Sequence, residues 1–464
     1  MVVYMGDSFT FGVAELDKLF SFVLKPPSTI VIAGHPGAGK TTLASTICYA
    51  NALNNSRCLY ISLQEDEEKL FANMKRLGID FYTLKNHGLI KYISIPLYAN
   101  IEDVVNEINN IISSGEYRVI VIDSINALLQ TSKEDYAKRA WLQNYFYNLP
   151  RILNGICILI SELSFGEETL KLGAIEFVAD AIIILKHKIS NGLLIRKIEV
   201  RKARSAPLHI AEFPFTILEG RGIKVYVPPL LEKVAREGPE IDVACSKLRN
   251  ILGHLHKGMT VYITYPPDAR PLIFIPILIG LTVLNNLKTH VISYLYPPET
   301  IKILIQKSFS GVDIDYSIIE NILNRFFIFN SINPFTYSID ELLMKELSMV
   351  LESSDIVVFH GVDILQTVVP KELYIQPLYN QLNYLKDTGK LVVRIGGMVN
   401  EDIYRVNAML SDVVMRHDIE YRNGSGVYKL YIWRRGINPN IIQYEEILEC
   451  RNEIVQKIKS LKLF

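Results

Sequence analysis

The sequence is short of cysteine, of charge imbalance and of long apolar runs, and each shortage excludes something. It holds five cysteines in 464 residues, an odd number with no Cys-x-x-Cys spacing. That argues against a disulfide framework or a zinc site and fits a reducing, cytoplasmic compartment. Lys plus Arg (49) equals Asp plus Glu (49), so no basic excess marks a nucleic-acid-binding chain. The longest apolar stretch, Pro271 to Leu284, falls short of the roughly 18–20 residues a membrane span needs. The start, MVVYMGDSFTFG, lacks a basic segment followed by an apolar run, so no signal peptide is expected.

What is present is enough apolar material for two cores. Hydrophobic residues make up 49% of the chain, and its length suits two domains of roughly 230 residues. Richness in Ile, Tyr and Lys is in keeping with a heat-adapted source. Strand-like runs at Ser28–Gly34, Arg57–Gln64, Arg118–Ser124 and Gly155–Leu163 alternate with helical patterns. Those patterns cover Thr41–Leu53, Asp66–Leu77, Ile101–Ile112 and Glu134–Leu153. Such alternation predicts an α/β fold, a mostly parallel sheet flanked by helices. Past Phe177 the pattern turns to successive strands, with a hairpin turn at Ser190-Asn191-Gly192.

The second half repeats this order. Met259–Tyr265 reads as the first strand, Arg270–Leu284 as its helix and His290–Leu295 as the second strand. Asp355–Phe359 and Leu391–Ile395 match the third and fourth runs, and Asp412 and the turn at Asn423-Gly424 match Asp180 and Asn191-Gly192. This is a diverged internal duplication. The prolines between Pro228-Pro229 and Pro239 mark the link, giving domains 1–232 and 233–464.

Chemistry is concentrated at GHPGAGKT, residues 34 to 41, between a strand and a helix. In the loop Gly34, His35, Pro36, Gly37, Ala38 and Gly39, the backbone N–H groups of all but Pro36 can turn onto phosphate oxygens at a helix N-terminus, with Lys40, Thr41 and Thr42 following. Lys40 is placed for the β- and γ-phosphates and Thr41 for Mg²⁺. The predicted ligands are therefore ATP and Mg²⁺. Asp123, ending VIVID, is the candidate second metal-orienting acid. Leu63-Gln64-Glu65-Asp66 follows the second strand, and either Glu65 as base or Gln64 as a positioning group can serve the attacking water.

Beyond the P-loop, residues 10–228 resemble the KaiC-like branch of the RecA superfamily. The resemblance rests on Leu16-Asp17-Lys18-Leu19, GHPGAGKTT, YISLQE, RLGID, VIVIDSI, LISEL, EFVADAIIIL and EFPFTILEGRGIKVY. It extends to archaeal members of that branch. It implies a RecA-fold ATPase and a homo-oligomeric ring, a hexamer in many members, with nucleotide between subunits. It also implies that Lys202 and Arg204 reach across to a neighbouring subunit's nucleotide. Two departures matter. The usual glycine and histidine after that arginine are Ser205 and Leu208 here, with His209 next. The family's adjacent glutamates are Gln64 and Glu65, which implies slow hydrolysis.

In the second copy, GHPGAGKT falls on YPPDARPL, Tyr265 to Leu272. Pro271 replaces the lysine, Leu272 the metal-binding hydroxyl, and His360 stands opposite Asp123. The expected function is thus a slow, Mg²⁺-dependent regulatory or assembly ATPase with a structural or partner-recruiting second domain. Trp433-Arg434-Arg435-Gly436 resembles the basic strand end of the first copy. One alternative is a nearly inactive ATP-binding regulator. Another is a recombinase-like binder of single-stranded DNA, for which the segment Ser164–Ile175, with Glu167, Glu168 and only Lys171, is a poor grip.

Overall fold

The computed structural model describes residues 9–95, 101–130, 136–164, 175–190, 193–204, 211–227, 238–267, 272, 274–337, 339–350, 353–422 and 425–461. The chain divides into two compact units, Met1–Val227 and Pro228–Phe464. The turns at Asn191-Gly192 and Asn423-Gly424, the segment Pro228-Pro229, the positions Ser205, Leu208, His209 and Pro271, and residues 165–174 lie outside the described residues.

The first unit holds strands β1 (Ser28–Gly34), β2 (Cys58–Ser62), β3 (Ile90–Ser94), β4 (Val119–Asp123), β5 (Ile156–Glu162), β6 (Ala181–Ser190), β7 (Leu193–Ala203), β8 (Glu212–Leu218) and β9 (Gly222–Val225). Its helices are α1 (Ala14–Phe20), α2 (Lys40–Leu53), α3 (Glu67–Arg76), α4 (Phe81–Asn86), α5 (Ile101–Ser113), α6 (Ile125–Gln130), α7 (Tyr136–Leu153) and α8 (Ile175–Val178). One sheet runs in the order β3-β2-β4-β5-β1-β6-β7-β8-β9. It is parallel through β6 and antiparallel from there to β9. The strand β1 is buried along its whole length. Its alternate residues belong to two cores: Ile30 and Ile32 pack with Leu43 and Ile47 of α2, Val31 and Ala33 with Leu142 and Phe146 of α7. A strand apolar on both faces is what a sheet covered by helices on both sides requires.

The second unit holds β10 (Glu240–Ile241), β11 (Leu255–His256), β12 (Thr260–Tyr265), β13 (Thr289–Ser293), β14 (Phe327–Ser331), β15 (Ile356–His360), β16 (Leu391–Gly397), β17 (Val413–Arg422), β18 (Ser425–Arg434) and β19 (Ile437–Gln443). Its helices are α9 (Ser246–Leu252), α10 (Ile275–Leu284), α11 (Pro298–Ser308), α12 (Tyr316–Phe326), α13 (Ile339–Met349), α14 (Val362–Val368), α15 (Lys371–Asp387), α16 (Glu401–Met409) and α17 (Tyr444–Ser460). Its large sheet runs β14-β13-β15-β16-β12-β17-β18-β19, the same path as the first sheet up to β8. Local bonds repeat as well. Thr29 N–H donates to Asp180 and Thr260 N–H to Asp412, each at 2.9 Å. Two tandem α/β units of one topology are therefore present.

Two expectations change. The helix expected over Arg270–Leu284 starts only at Ile275, whereas α2 starts at Lys40 itself. Strand register puts the counterpart of Lys40 four residues before Ile275, so the second unit's helix begins one turn late. The cysteines are the other correction. Cys48 is joined to Cys58 and Cys245 to Cys450, one disulfide in each unit, and Cys157 is free and buried. Spacing could not show this, because Cys245 and Cys450 are 205 residues apart and meet only when α17 packs beside α9. Cysteine usage thus ceases to argue for a reducing compartment. Intracellular disulfides are a known feature of hyperthermophile proteins.

Candidate nucleotide site

The site is built where β1, β4 and β5 end. Gly34 closes β1 against β6 so tightly that a Cβ there would lie 2.3 Å from the Leu185 carbonyl oxygen. Gly37 and Gly39 adopt positive φ, +78° and +103°, which only glycine takes at little cost. Gly39 is also the N-cap of α2, and a Cβ on it would meet Ile217 at 2.9 Å. The loop therefore fits a phosphate: its glycines leave the backbone bare at the positive end of a 14-residue helix.

Three predicted side chains meet here. Lys40 is buried and folds its Nζ over the loop to donate to the His35 carbonyl at 3.1 Å. Burial lowers its pKa, opposed by the carboxylates of Glu162 and Asp123. Thr41 Oγ1 donates to Asp123 Oδ2 at 2.9 Å. Tyr60, fully buried on β2, donates its hydroxyl to the same oxygen at 2.9 Å. Burial raises Asp123 above the ordinary carboxylate value, and the hydrogen bonds from Thr41 and Tyr60 pull it back. Two oxygen donors so close together suit a hard divalent cation. Among the described residues, no group of three or more His, Cys, Asp or Glu could hold a metal alone.

The two water-handling candidates part company. Ser62 Oγ accepts the backbone N–H groups of both Gln64 (3.3 Å) and Glu65 (2.9 Å), fixing the turn after β2. Gln64 Nε2 then donates to Ser124 Oγ at 3.4 Å, beside Asp123. The Glu65 carboxylate instead pairs with Lys69 on α3 at 3.5 Å, while its carbonyl accepts from Tyr92 at 2.5 Å.

Lys202 and Arg204 stand elsewhere. Gly34 aligns with Leu185 on β6, whereas Ala203 aligns with Ala181 at the other end of that strand. Both residues thus sit at the opposite end of the strands from their own P-loop. Lys202 Nζ donates to the carbonyls of Glu176 (2.9 Å) and Phe177 (3.2 Å). Arg204 donates to Asp180 at 3.3 Å and to the Phe177 carbonyl.

Sequence reasoning did not single out Tyr60 or Glu162 as site residues. Glu162 ends β5 in register with Gly34, and Asn126 clamps its backbone through both amide groups. Strand parity could have found Tyr60, two residues before Ser62 on the same face.

The KaiC ATPase family model matches residues 9–229. The first unit belongs to the KaiC-like branch of the RecA superfamily of P-loop ATPases. The chain is also similar to the circadian clock oscillator protein KaiC of Picosynechococcus sp., 27% identical over 210 residues, which are 45% of this chain and 41% of that protein. The same-named protein of Nostoc sp. is 26% identical over 231 residues, 50% of this chain and 41% of that protein. That of Synechococcus elongatus is 26% identical over 196 residues, 42% and 38% respectively. These relatives are cyanobacterial. The matches span about two-fifths of the length of these curated relatives. The second unit carries the same RecA-like fold. Among the described residues no helix is long and apolar enough to cross a membrane.

Proposed function

We propose that the first unit binds MgATP and hydrolyses it slowly, and that the chain is a cytoplasmic regulatory or assembly ATPase. The observation that carries this reading is the Thr41–Asp123 hydrogen bond beside a glycine cradle and a buried Lys40. Gly34 to Gly39 would wrap the phosphates and Thr41 and Asp123 would hold Mg²⁺, which when bound offsets charge on the β- and γ-phosphates. Gln64, directed toward Ser124, orients the attacking water without taking its proton, which is why turnover is slow. Glu65 is the alternative base and must leave Lys69 to serve. In a ring of several copies, Lys202 and Arg204 would act on a neighbour's nucleotide, since they lie too far along the sheet to act on their own. The second unit would serve as a structural or partner-binding module.

The test is steady-state ATP hydrolysis with equilibrium ATP binding on the same preparation. Lys40→Ala should lose binding at least a hundred-fold. Gln64→Glu should bind normally and raise turnover by roughly a hundred-fold or more, the usual scale of general-base catalysis. Unchanged turnover in Gln64→Glu together with lost turnover in Glu65→Gln would transfer the base role to Glu65. A wild type that binds ATP through Lys40 without turnover would make the chain a nucleotide-gated regulator.

A further inference from the structure

The second unit contains a partly open cavity of about 240 Å³. Its location is informative because the two sheets can be superposed by hydrogen-bond register alone. Leu163 N–H donates to the Gly34 carbonyl, and Met398 N–H to that of Tyr265, so Tyr265 stands for Gly34. Leu63 N–H donates to the Asp123 carbonyl, and Tyr294 N–H to that of His360, so His360 stands for Asp123. Ser62 Oγ receives the N–H groups of Gln64 and Glu65; Ser293 Oγ receives those of Leu295 and Tyr296. Tyr296 therefore stands for Glu65. Val291 stands for Tyr60, pairing with Val358 as Tyr60 pairs with Val121.

Tyr265, Val291, Tyr296 and His360 all line the cavity, as does Leu272, which stands for Thr41. The hollow occupies the seat that a nucleotide would take, with apolar or aromatic side chains at these five positions. The rest of its described wall is aliphatic or aromatic, with Phe274, Ile305 and Val358 buried and Ile275, Leu278 and Leu304 half-buried. Protein interiors seldom keep a void much larger than one water, because the lining loses its packing contacts.

We infer that this cavity is a binding site for a neutral, largely hydrocarbon small molecule carrying one hydrogen-bonding group. It exceeds the roughly 150 Å³ void that accepts benzene, so a bicyclic aromatic of about ten heavy atoms fits. A phosphate or carboxylate suits it less: among the described residues of the wall there is no lysine or arginine, and an anion moved into an apolar pocket loses its hydration uncompensated. The ligand's polar group lies at the His360–Tyr296 end, where the two rings stand 5.7 Å apart and Ser293 Oγ is 3.1 Å from His360 Nδ1. The first unit thus takes a charged, hydrated ligand and the second an uncharged, dehydrated one, on the same scaffold position.

Calorimetric titration of the full chain with indole tests this. Wild type should bind one indole per chain saturably. Leu304→Trp, which fills the cavity from a half-buried wall position, should weaken binding at least ten-fold. Its ATP binding and melting temperature should stay near wild type; if it unfolds, Leu278→Phe gives the same reading from α10. Lys40→Ala, which disables the first unit, should leave indole binding intact, so failure of the ATPase reading and failure of this one are separable. No saturable binding by folded wild type overturns the proposal. So does equal affinity in the filled variants, or displacement of indole by ATP in Lys40→Ala.

Discussion

In the first unit Tyr60 donates to Asp123 at the tip of β4; in the second the same register positions hold Val291 and His360. Other site positions change alongside, from Gly34 to Tyr265 and from Glu65 to Tyr296, while Ser62 is kept as Ser293. What persists is the frame: strand order, the Thr–Asp clamp at the start of the central strand, and a strand-end arginine. Arg204 N–H donates to the Asp180 carbonyl and Arg435 N–H to that of Asp412, and each guanidinium lies near its aspartate. The arginine survives in the unit whose P-loop is gone, which gives Arg204 a structural job within its own chain. Lys202, aligned with Trp433, is the cation that tracks the intact site. The comparison teaches that scaffold and chemistry have diverged at separate rates on one chain.

The largest difference between the units should appear on reduction. Cys48–Cys58 closes a separation of 10 residues and Cys245–Cys450 one of 205. By loop-closure entropy these contribute on the order of 3 and 5 kcal/mol. Thermal melts with and without a strong reductant, on wild type and Cys450→Ser, should show the second unit losing more. Equal losses would mean that the long loop is already restrained in the unfolded chain.

The alternation of apolar runs and helical patterns made the first sheet legible, because a doubly covered strand such as β1 cannot hide its apolar residues. Ends were read too long: the expected Arg57–Gln64 is the strand Cys58–Ser62, since Gln64 and Glu65 are turned by Ser62 Oγ rather than extended. The edge strand β3 and the helix α4 were missed; they are short, and β3 is only partly buried, so their period is weak. The P-loop was legible because its chemistry is local. The Tyr60–Asp123 contact, both disulfides and the cavity were not, because each joins residues that only folding brings together.

A second contrast is electrostatic. In the second unit Glu346 is fully buried and accepts from Tyr294 at 2.6 Å and from Gln381. Burial pushes its carboxyl up from 4.5 to about 7. His417, buried against Phe274, is pushed down from 6.5 to about 4. The folded state holds the Glu346 proton longer than the unfolded one, so its contribution falls as pH rises from about 4.5 to about 7. The folded state refuses the His417 proton, so that contribution falls as pH drops from about 6.5 to about 4. Between about 4.5 and 6.5 the two slopes oppose each other, each worth about 3 kcal/mol over its full span. Chemical denaturation should find these two contributions cancelling in that window for wild type. Glu346→Gln should unmask a steady loss of stability on acidification, and a slope unchanged by that substitution would remove Glu346 from the account.

The smallest effect probes the comparison where it began. Tyr60→Phe makes the first unit resemble the second at one hydroxyl, leaving Thr41 as the partner of Asp123 Oδ2. The ring keeps its place, stacked on Tyr92 at a centroid distance of 5.7 Å, so the fold should be indifferent. The lost hydrogen bond to a carboxylate is worth about 1.5–3 kcal/mol at most, less whatever water recovers. Removing it leaves Asp123 less restrained, and its pKa should rise because one of the two bonds favouring the ionised form is gone. The Mg²⁺ concentration needed for half-maximal ATP hydrolysis should therefore increase several-fold, most steeply at acid pH, with ATP affinity at saturating Mg²⁺ little changed. An unaltered Mg²⁺ requirement would mean that Thr41 alone orients Asp123, and that Tyr60 differs from Val291 for packing rather than chemistry.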